Sequence, residues 1–376
     1  MRDIWKPRPG DRVVRHPREE QMSPVRVTVT SRRVHTRALS SPLILLYAFA
    51  VLIMFGTILL LMPFSRHGEG LTPFVDALFT ATSAATVTGL VTQETATYWT
   101  RTGQVFILAL MFVGGLGMMT IATFLIILFG QRVTLAQRIV VRDSLQIDQL
   151  GGLARIAVRI VLVAVAIQLV GFAGLLARFL FLYPPAEAVW QAAFHAVSAF
   201  NSAGFTMLPD SSSLSGFQTD RAVLGIIGTL IFLGAISYWV MLDVVRLRRF
   251  SLLTLNTKLV LVFMGALTLL GGLVFMLSEY NNQSTLGELS IGDKTVVSIF
   301  ESISGRPAGF STVNYAETEQ HTNLFFSSLM FIGGASASVA GGIKVNTLAV
   351  VLVALLSNIR GRMQANVFGR QIPQAQ

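Results

Sequence analysis

The chain has 376 residues, of which 53% are hydrophobic and only 13% charged, with a mean hydropathy of +0.64. Soluble globular domains carry about 25% charged residues, so the composition excludes an ordinary soluble domain and indicates a multi-spanning membrane protein. The lack of cysteine excludes disulfides and thiolate sites. The net charge of +10 is explained by the distribution of basic residues on one side of the membrane, described below, so we expect no nucleic-acid partner.

The first 39 residues form a polar, arginine-rich tail that runs from Arg2 to Arg37 and beyond. No short apolar core precedes a small-residue cleavage site, so no cleavable signal peptide is predicted. An arginine-rich start can resemble a transit peptide, but four acidic residues in this stretch argue against that interpretation. We therefore predict a cytoplasmic basic tail at residues 1–39.

Six apolar segments are long enough to cross a bilayer, which takes about 20 helical residues. In chain order they are 41–63, 101–129, 154–182, 221–245, 253–278 and 322–357. The last is too long for one straight helix, and glycines interrupt it. The pattern therefore predicts six spans, the sixth of them broken.

Basic residues mark one side of the predicted membrane. They concentrate in the N-terminal tail, in the links after the second and fourth spans, and in the C-terminal tail, whereas the other links are acidic. The positive-inside rule then places the N-terminus in the cytoplasm. At the end of the fourth span, Asp243 precedes Arg246 and Arg248, which favours an ion pair at a helix end.

A short glycine pattern recurs three times between the predicted spans, as Thr88-Gly89-Leu90, Ala203-Gly204-Phe205 and Ala308-Gly309-Phe310. Each copy follows an apolar stretch with helical spacing that is too short to span, at 72–85, 185–200 and 293–304. All three copies start from the outer face, which favours repeats about an axis normal to the membrane over inverted repeats.

These observations predict an all-α polytopic membrane protein made of three span–pore helix–span repeats, an ion-channel-like arrangement. The predicted organisation is a basic tail at 1–39, repeat 1 at 40–130, repeat 2 at 150–250, repeat 3 with its broken last helix at 251–359, and a second cytoplasmic tail at 360–376.

The glycine segments suggest a chemistry for cations. A cation that leaves water needs oxygen ligands, and inward-facing backbone carbonyls supply them where glycine tolerates a strained backbone. No carboxylate lies within the three segments, which favours a monovalent over a divalent cation. The candidate filter residues are Thr86, Val87, Thr88 and Gly89 in segment 1, Asn201, Ser202, Ala203 and Gly204 in segment 2, and Arg306, Pro307, Ala308 and Gly309 in segment 3.

Four motifs occur in one order: Thr86-Val-Thr-Gly-Leu90, Phe200-Asn-Ser-Ala-Gly-Phe205, Arg306-Pro-Ala-Gly-Phe310 and Gly333-Gly-Ala-Ser-Ala-Ser-Val-Ala-Gly-Gly-Ile-Lys344. With them the chain resembles the Trk/Ktr/HKT superfamily of potassium transporters over about residues 40–372, and most of all its bacterial KtrB branch. The resemblance implies K⁺ uptake through a four-repeat pore with K⁺ at the filter carbonyls. Pro307 departs from the small polar residue common in the family and removes a backbone donor.

The resemblance also implies partners. These are a second copy of the chain in a homodimer, a cytosolic nucleotide-binding regulatory ring of the KtrA type, and the lipid bilayer. No cofactor is expected beyond the transported K⁺, and co-transport of Na⁺ stays open. The sequence stops after Val367-Phe-Gly-Arg370, where the family's link to a fourth repeat begins. This end point is compatible with three explanations: the chain is a fragment, a separate polypeptide carries the fourth repeat, or the product is non-functional.

The sixth span is broken by a glycine-rich loop at residues 333–343, followed at once by Lys344. A lysine near mid-membrane is costly and usually faces a cavity or a partner. In the resembling family this loop lies beneath the filter and acts as a gate, so the candidate gate residues are Gly333, Gly334, Gly341, Gly342 and Lys344. The alternative is a lysine that reaches toward the cytoplasm from a shorter helix.

Two other functional classes are alternatives to a transporter subunit. A non-conducting or incomplete membrane subunit would assemble without ion flux. An intramembrane enzyme would need a metal-ligand or nucleophile–base pattern in the spans, such as H-E-x-x-H, and the sequence contains none. We therefore predict a transporter subunit and not an enzyme.

Overall fold

The computed structural model describes residues 43–130, 150–208, 213–360, 366–368 and 370–371, and these ranges are mostly helical. The helices are α1 Leu43–Leu61, α2 Phe74–Ala85, α3 Thr95–Tyr98, α4 Arg101–Gly130, α5 Leu150–Phe179, α6 Pro185–Phe200, α7 Arg221–Ala235, α8 Tyr238–Leu247, α9 Leu255–Glu279, α10 Ile291–Ser304, α11 Gln320–Met330 and α12 Val345–Ile359.

Two short strands follow the helices. β1 Asn366–Val367 and β2 Arg370–Gln371 pair antiparallel, with Val367 opposite Arg370. They lie within the tail predicted at 360–376, where no strand was predicted. The basic tail at 1–39 and the arginine-rich link at 131–149 lie outside the described residues.

The helices follow one order three times: a long helix, a short helix that ends at a glycine segment, and a second long helix that is continuous or broken. The series are α1, α2 and α4; α5, α6 and α7–α8; and α9, α10 and α11–α12. Within the described ranges, α4, α5 and α9 are long and apolar enough to cross a membrane, and α7 with α8 makes a fourth if the pair counts as one span. Helices α1 and α12 are apolar but shorter.

Side-chain caps explain where several of these helices begin. The Asp220 carboxylate accepts from the backbone N–H groups of the first turn of α7, and the Ser290 hydroxyl accepts from the N–H of Asp293 at the start of α10. Thr254 caps α9 in the same way. The short helices α2 and α6 instead follow Pro73 and Pro184, whose fixed φ suits a helix start.

The segment predicted as a single span at 221–245 is bent by 101° between α7 and α8. The prediction of an unbroken helix there was wrong. Ile236 is extended, and the Ser237 side chain accepts from the N–H of Val240 to start α8. The carbonyls that would continue α7 are occupied by the glycine-rich loop, because Ala335 and Val339 donate their N–H groups to the carbonyls of residues 235 and 234.

The ion pair predicted for Asp243 is also wrong. Its carboxylate accepts from the backbone N–H of Thr254 at 3.0 Å and from the Thr254 hydroxyl at 2.9 Å. No ion pair between Asp243 and an arginine occurs among the described residues. The carboxylate therefore links the end of α8 to the start of α9, a contact across 11 residues that local charge spacing does not reveal.

The second series is central, and its neighbours are joined to it by two equivalent ion pairs. Arg101 at the start of α4 pairs with Glu187 in the first turn of α6, and Arg221 at the start of α7 pairs with Asp293 in the first turn of α10. Each pair joins the second long helix of one series to the short helix of the next. The largest buried cluster lies beneath these contacts and packs α5, α6 and α7 against α9 and α10.

Candidate functional site

The three recurring glycines share one backbone conformation. The φ angles are +83° at Gly89, +73° at Gly204 and +73° at Gly309. This left-handed region is strained for residues that carry a Cβ atom, which accounts for glycine at all three places. The short helices α2, α6 and α10 each end within a few residues of these glycines.

The three segments lie next to one another in chain order. A Cβ atom at Gly89 would overlap the carbonyl oxygen of Ala203, and one at Gly204 would overlap the carbonyl oxygen of Ala308. The same position at Gly309 has no described heavy atom within 4 Å. The structure therefore brings the predicted residues together as a ladder, with segment 2 buried between segments 1 and 3 and the far side of segment 3 open.

Backbone caps hold segment 2 at the end of α6. Ser202 donates its N–H to the carbonyl of Ala199 at 3.0 Å, and Ala203 donates to Ser198 at 2.8 Å. Ser202 itself has a φ of +57°. This pair of bonds around a left-handed residue is the Schellman arrangement that closes many helices.

Segment 1 repeats the same cap at the end of α2. Val87 donates to Ala84 at 3.2 Å and Thr88 donates to Ser83 at 2.8 Å, and Val87 has a φ of +57°. A β-branched residue in this region is unusual and strained. The backbone therefore leaves both helices along one path, although the segments share little sequence apart from the glycine.

Segment 3 is held differently, because Pro307 has no N–H to donate. Ala308 and Gly309 both donate to the carbonyl of Ser304, at 2.9 and 3.2 Å. The buried Arg306 side chain turns away from the segment and donates to the Ser302 carbonyl at 3.2 Å and to the Thr268 hydroxyl at 2.9 Å. At the end of α10 an arginine side chain therefore supplements the backbone hydrogen bonds.

Sequence reasoning missed a serine that braces these segments. Ser198 donates to the carbonyl of Phe205 at 2.8 Å, and Ser304 donates to the carbonyl of Phe310 at 2.6 Å. In each case the acceptor is the residue directly after the segment glycine. Ser83 stands at the matching place on α2, but its hydroxyl has no partner among the described residues. The recurrence of serine shortly before each glycine was the available signal.

The glycine-rich loop is closely packed. Gly333 donates to Ile343 at 3.0 Å and Ile343 donates to Phe331 at 2.8 Å, which brings the two ends of the loop together. A Cβ atom at Gly333 would overlap the carbonyl of Gly341, and Gly342 has a φ of +78°. The glycines are therefore needed for close backbone approach and for one left-handed turn.

Two further contacts fix this loop. The Lys344 ammonium donates to the carbonyl of Ala340 at 2.5 Å, so its hydrogen bond stays within the loop. Ala335 donates to the carbonyl of Ala235 at 2.8 Å, and a Cβ atom at Gly334 would crowd that same carbonyl. The candidate gate residues thus lie together and against the end of α7.

The family comparison gives a match of the TrkH cation transport protein model to residues 23–376. The chain belongs to this family. The resemblance found from the motifs and the prediction of an all-α polytopic membrane fold are confirmed. The family consists of cation transporters, so the prediction that the chain is not an enzyme is confirmed as well.

Two curated relatives are similar over most of their length. The potassium/sodium uptake protein NtpJ of Enterococcus hirae is 36% identical over 93% of this chain and 76% of its own length. The Ktr system potassium uptake protein B of Bacillus subtilis is 36% identical over 88% of this chain and 74% of its own length.

One solved structure supports the fold. The potassium transporter TrkH from Vibrio parahaemolyticus superposes with a TM-score of 0.68 over 92% of this chain and 68% of that chain. The sequence identity is 18%, so this likeness supports the arrangement of helices and nothing finer.

Proposed function

We propose that this chain is a pore-forming subunit for K⁺ uptake across the bacterial cytoplasmic membrane. The observation that carries the proposal is the ladder of the three glycine segments, in which Gly89 lies against the Ala203 carbonyl and Gly204 against the Ala308 carbonyl. The ion passes along the backbone carbonyls of segments 1, 2 and 3, which replace its hydration shell. The names of the relatives, which include potassium uptake in both cases, support this choice of ion.

The helix ends favour a cation at this place. Helices α2, α6 and α10 all direct their C-termini toward the segments, and helix C-termini carry partial negative charge. No carboxylate belongs to the segments, so a divalent ion would be less well compensated. Uptake is driven by the membrane potential, which supplies about 2.3 kcal/mol per charge per 100 mV.

The far side of segment 3 and the exposed side of segment 1 indicate a further component. Thr86 and Thr88 are exposed, and Gly309 has open space where Gly204 has a neighbouring carbonyl. We infer that a fourth span–pore helix–span unit, supplied by polypeptide outside these residues, completes the ring. A homodimer, a cytosolic nucleotide-binding ring of the KtrA type and a cytoplasmic N-terminus belong to the proposal on the strength of the family resemblance.

The loop around Gly333, Gly334, Gly341, Gly342 and Lys344 serves as the gate in this proposal. Its backbone hydrogen bonds to α7 hold it in one place, and the Lys344 charge opposes the passage of cations. Opening then requires the loop to leave the carbonyls of Gly234 and Ala235.

The test is uptake of K⁺, with Na⁺ measured in parallel, in cells that lack their own potassium uptake systems. The chain is expressed alone and together with a separately encoded fourth repeat. Potassium flux with the added repeat supports the proposal. Potassium flux through the chain expressed alone would show that the ring around the pore is complete without that repeat. A membrane-inserted protein that passes no ion in either case would favour a non-conducting subunit.

A further inference from the structure

A buried carboxylate lies behind segment 3. Glu301 is fully buried on α10 and accepts hydrogen bonds from the Thr312 N–H at 2.6 Å, the Thr312 hydroxyl at 2.8 Å and the Tyr315 hydroxyl at 2.9 Å. The Ser311 hydroxyl lies 3.5 Å from the carboxylate, but it donates to the Val313 carbonyl at 2.5 Å. No ion pair to this carboxylate occurs among the described residues. A buried carboxylate is costly unless hydrogen bonds satisfy it, so these contacts are strong constraints.

All of these donors come from the chain directly after Gly309 and Phe310. The carboxylate therefore fixes the path by which the backbone leaves segment 3. Ser304, three residues after Glu301 on the same helix, donates to the Phe310 carbonyl at 2.6 Å. Two side chains of α10 thus hold the residues that directly follow Gly309 in the sequence, which we call the exit side of segment 3.

The places that match Glu301 in the other two repeats carry no carboxylate, although Asp76 accepts from Gln93 at 3.2 Å after segment 1 and Gln191 donates to the Met207 carbonyl at 2.9 Å after segment 2. Counted back from the glycine, with the third copy one residue shorter, the places that match Glu301 are Thr80 and His195. The buried His195 ring bonds to the Gln191 carbonyl of its own helix at 2.8 Å, and the Thr80 hydroxyl has no partner among the described residues. Only segment 3 contains a proline, so only segment 3 lacks a backbone donor at this place.

We propose that Glu301 is a positioning residue that sets the cation selectivity of the filter. Its hydrogen bonds add to those from Ala308 and Gly309 to the Ser304 carbonyl, and they hold the carbonyls of segment 3 in register with those of segment 2. This inference rests on the proposed transport function. A carbonyl ring discriminates K⁺ from Na⁺ through the number and placement of its oxygens, so displacement of one segment changes the ratio of the two fluxes.

The same repeat contains a matched control. Glu279 is also fully buried and accepts four hydrogen bonds, but its donors are Asn282, Thr285, Glu319 and Thr322. It lies at the end of α9 and contacts no residue of the segments through these bonds. Glu279→Gln therefore removes an equally buried charge without releasing the exit side of segment 3.

The experiment compares Glu301→Gln with Glu279→Gln in the full chain, co-expressed with the fourth repeat where uptake requires it. The ratio of Rb⁺ to Na⁺ flux is measured in vesicles. We expect the Glu301 variant to lose about tenfold in this ratio, the effect of about one net hydrogen bond, and the Glu279 variant to keep the wild-type ratio. Equal ratios in wild type and Glu301→Gln would overturn the proposal.

A second readout covers a variant that is inserted but inactive. Amide hydrogen exchange is compared over residues 309–315, where the proposal expects faster exchange in Glu301→Gln and in Tyr315→Phe but not in Glu279→Gln. Unchanged exchange in Glu301→Gln would overturn the proposal without reference to flux. A wild-type protein that transports neither ion would instead count against the proposed function, and the exchange comparison would still decide the role of Glu301.

Discussion

The carbonyl oxygen of Phe200 lies against the α-carbon of Gly234, so closely that a Cβ atom at residue 234 would overlap it. Phe200 is the last residue of α6 before segment 2, and Gly234 lies in the last turn of α7. The carbonyl of Gly234 in turn accepts from the N–H of Val339 in the glycine-rich loop. Gly234 thus contacts both the start of segment 2 and the glycine-rich loop.

Replacing Gly234 by alanine is expected to disturb both neighbours. The added methyl group would meet the Phe200 carbonyl and lie 3.2 Å from a side-chain carbon of Val339. Overpacking of this kind costs about 1–3 kcal/mol in the free energy of unfolding, and we expect ion flux to fall as well. Thermal unfolding in detergent and vesicle flux measure the two effects.

The control for this change lies on the same helix. A Cβ atom at Gly225 would meet no described atom within 4 Å, so Gly225→Ala should leave flux unchanged and stabilise the helix by up to about 1 kcal/mol. Equal unfolding temperatures for the two variants would show that the contact between Phe200 and Gly234 is unimportant.

Alanine at the segment glycines should have graded effects. At Gly309 the cost is the left-handed φ alone, about 1–2 kcal/mol, because no described atom crowds the site. At Gly204 the same strain is joined by overlap with the Ala308 carbonyl, so Gly204→Ala should lower the unfolding temperature further. A larger loss at Gly309, measured in the full chain without a fourth repeat, would contradict the ladder.

Neutralising Lys344 is expected to raise cation flux. Lys344→Met removes both the positive charge and the hydrogen bond to Ala340, whereas Lys344→Arg keeps a charge and donors at this place. Initial rates of Rb⁺ uptake compare the two variants. Similar rates for Met, Arg and wild type would show that the lysine does not restrict passage and would favour its role as a helix-end side chain.

The ion pair between Arg221 and Asp293 predicts that the stability of the protein depends on pH in the acidic range. Hydrogen bonds from Arg221 and Ser290 hold the pKa of the Asp293 carboxyl below its usual value. Its stabilising contribution is therefore present above the unfolded-state pKa and is lost as the pH falls through the lowered folded-state pKa. Asp293→Asn should lower the unfolding temperature near neutral pH, and the difference should vanish once the pH has fallen below the lowered folded-state pKa.

A suitable control for the acid experiment is Asp76, in the first turn of α2. Its carboxylate accepts from Gln93 of the same repeat at 3.2 Å and forms no ion pair among the described residues. Asp76→Asn should give a smaller difference in unfolding temperature near neutral pH. An Asp293 effect that persists unchanged in acid would show that its charge is not the cause.

Much of the fold could be predicted from local pattern. The long apolar runs and the three short stretches before Gly89, Gly204 and Gly309 correspond to helices in the structure, because hydrophobic length and periodicity act within one segment. The recurrence of glycine also indicated a backbone conformation that other residues rarely adopt, and the positive φ angles of these three glycines agree with it. The family was evident from four motifs in order.

What sequence reasoning missed depends on contacts between distant residues. The bend after Ala235 arises because Ala335 and Val339, about a hundred residues later, donate to the carbonyls that would continue the helix. Asp243 finds Thr254 rather than a nearby arginine for the same reason. The donors to Glu301 could not be predicted, because Thr312 and Tyr315 look like ordinary loop residues in the sequence and meet the carboxylate only when the chain folds back over α10.

The one-residue difference in the third copy has a consequence for engineering. Segments 1 and 2 leave their helices through matching backbone caps. Segment 3 leaves through Pro307 with a different pair of backbone bonds, both to the Ser304 carbonyl, and with side chains of α10. One residue rotates a helix by about 100°, so a chimera with segment 3 grafted onto α2 or α6 would point its carbonyls in a new direction. The units are therefore not interchangeable parts. In the proposed pore, the three segments therefore depart from exact rotational symmetry, and equivalent substitutions in different units should have unequal effects on ion flux.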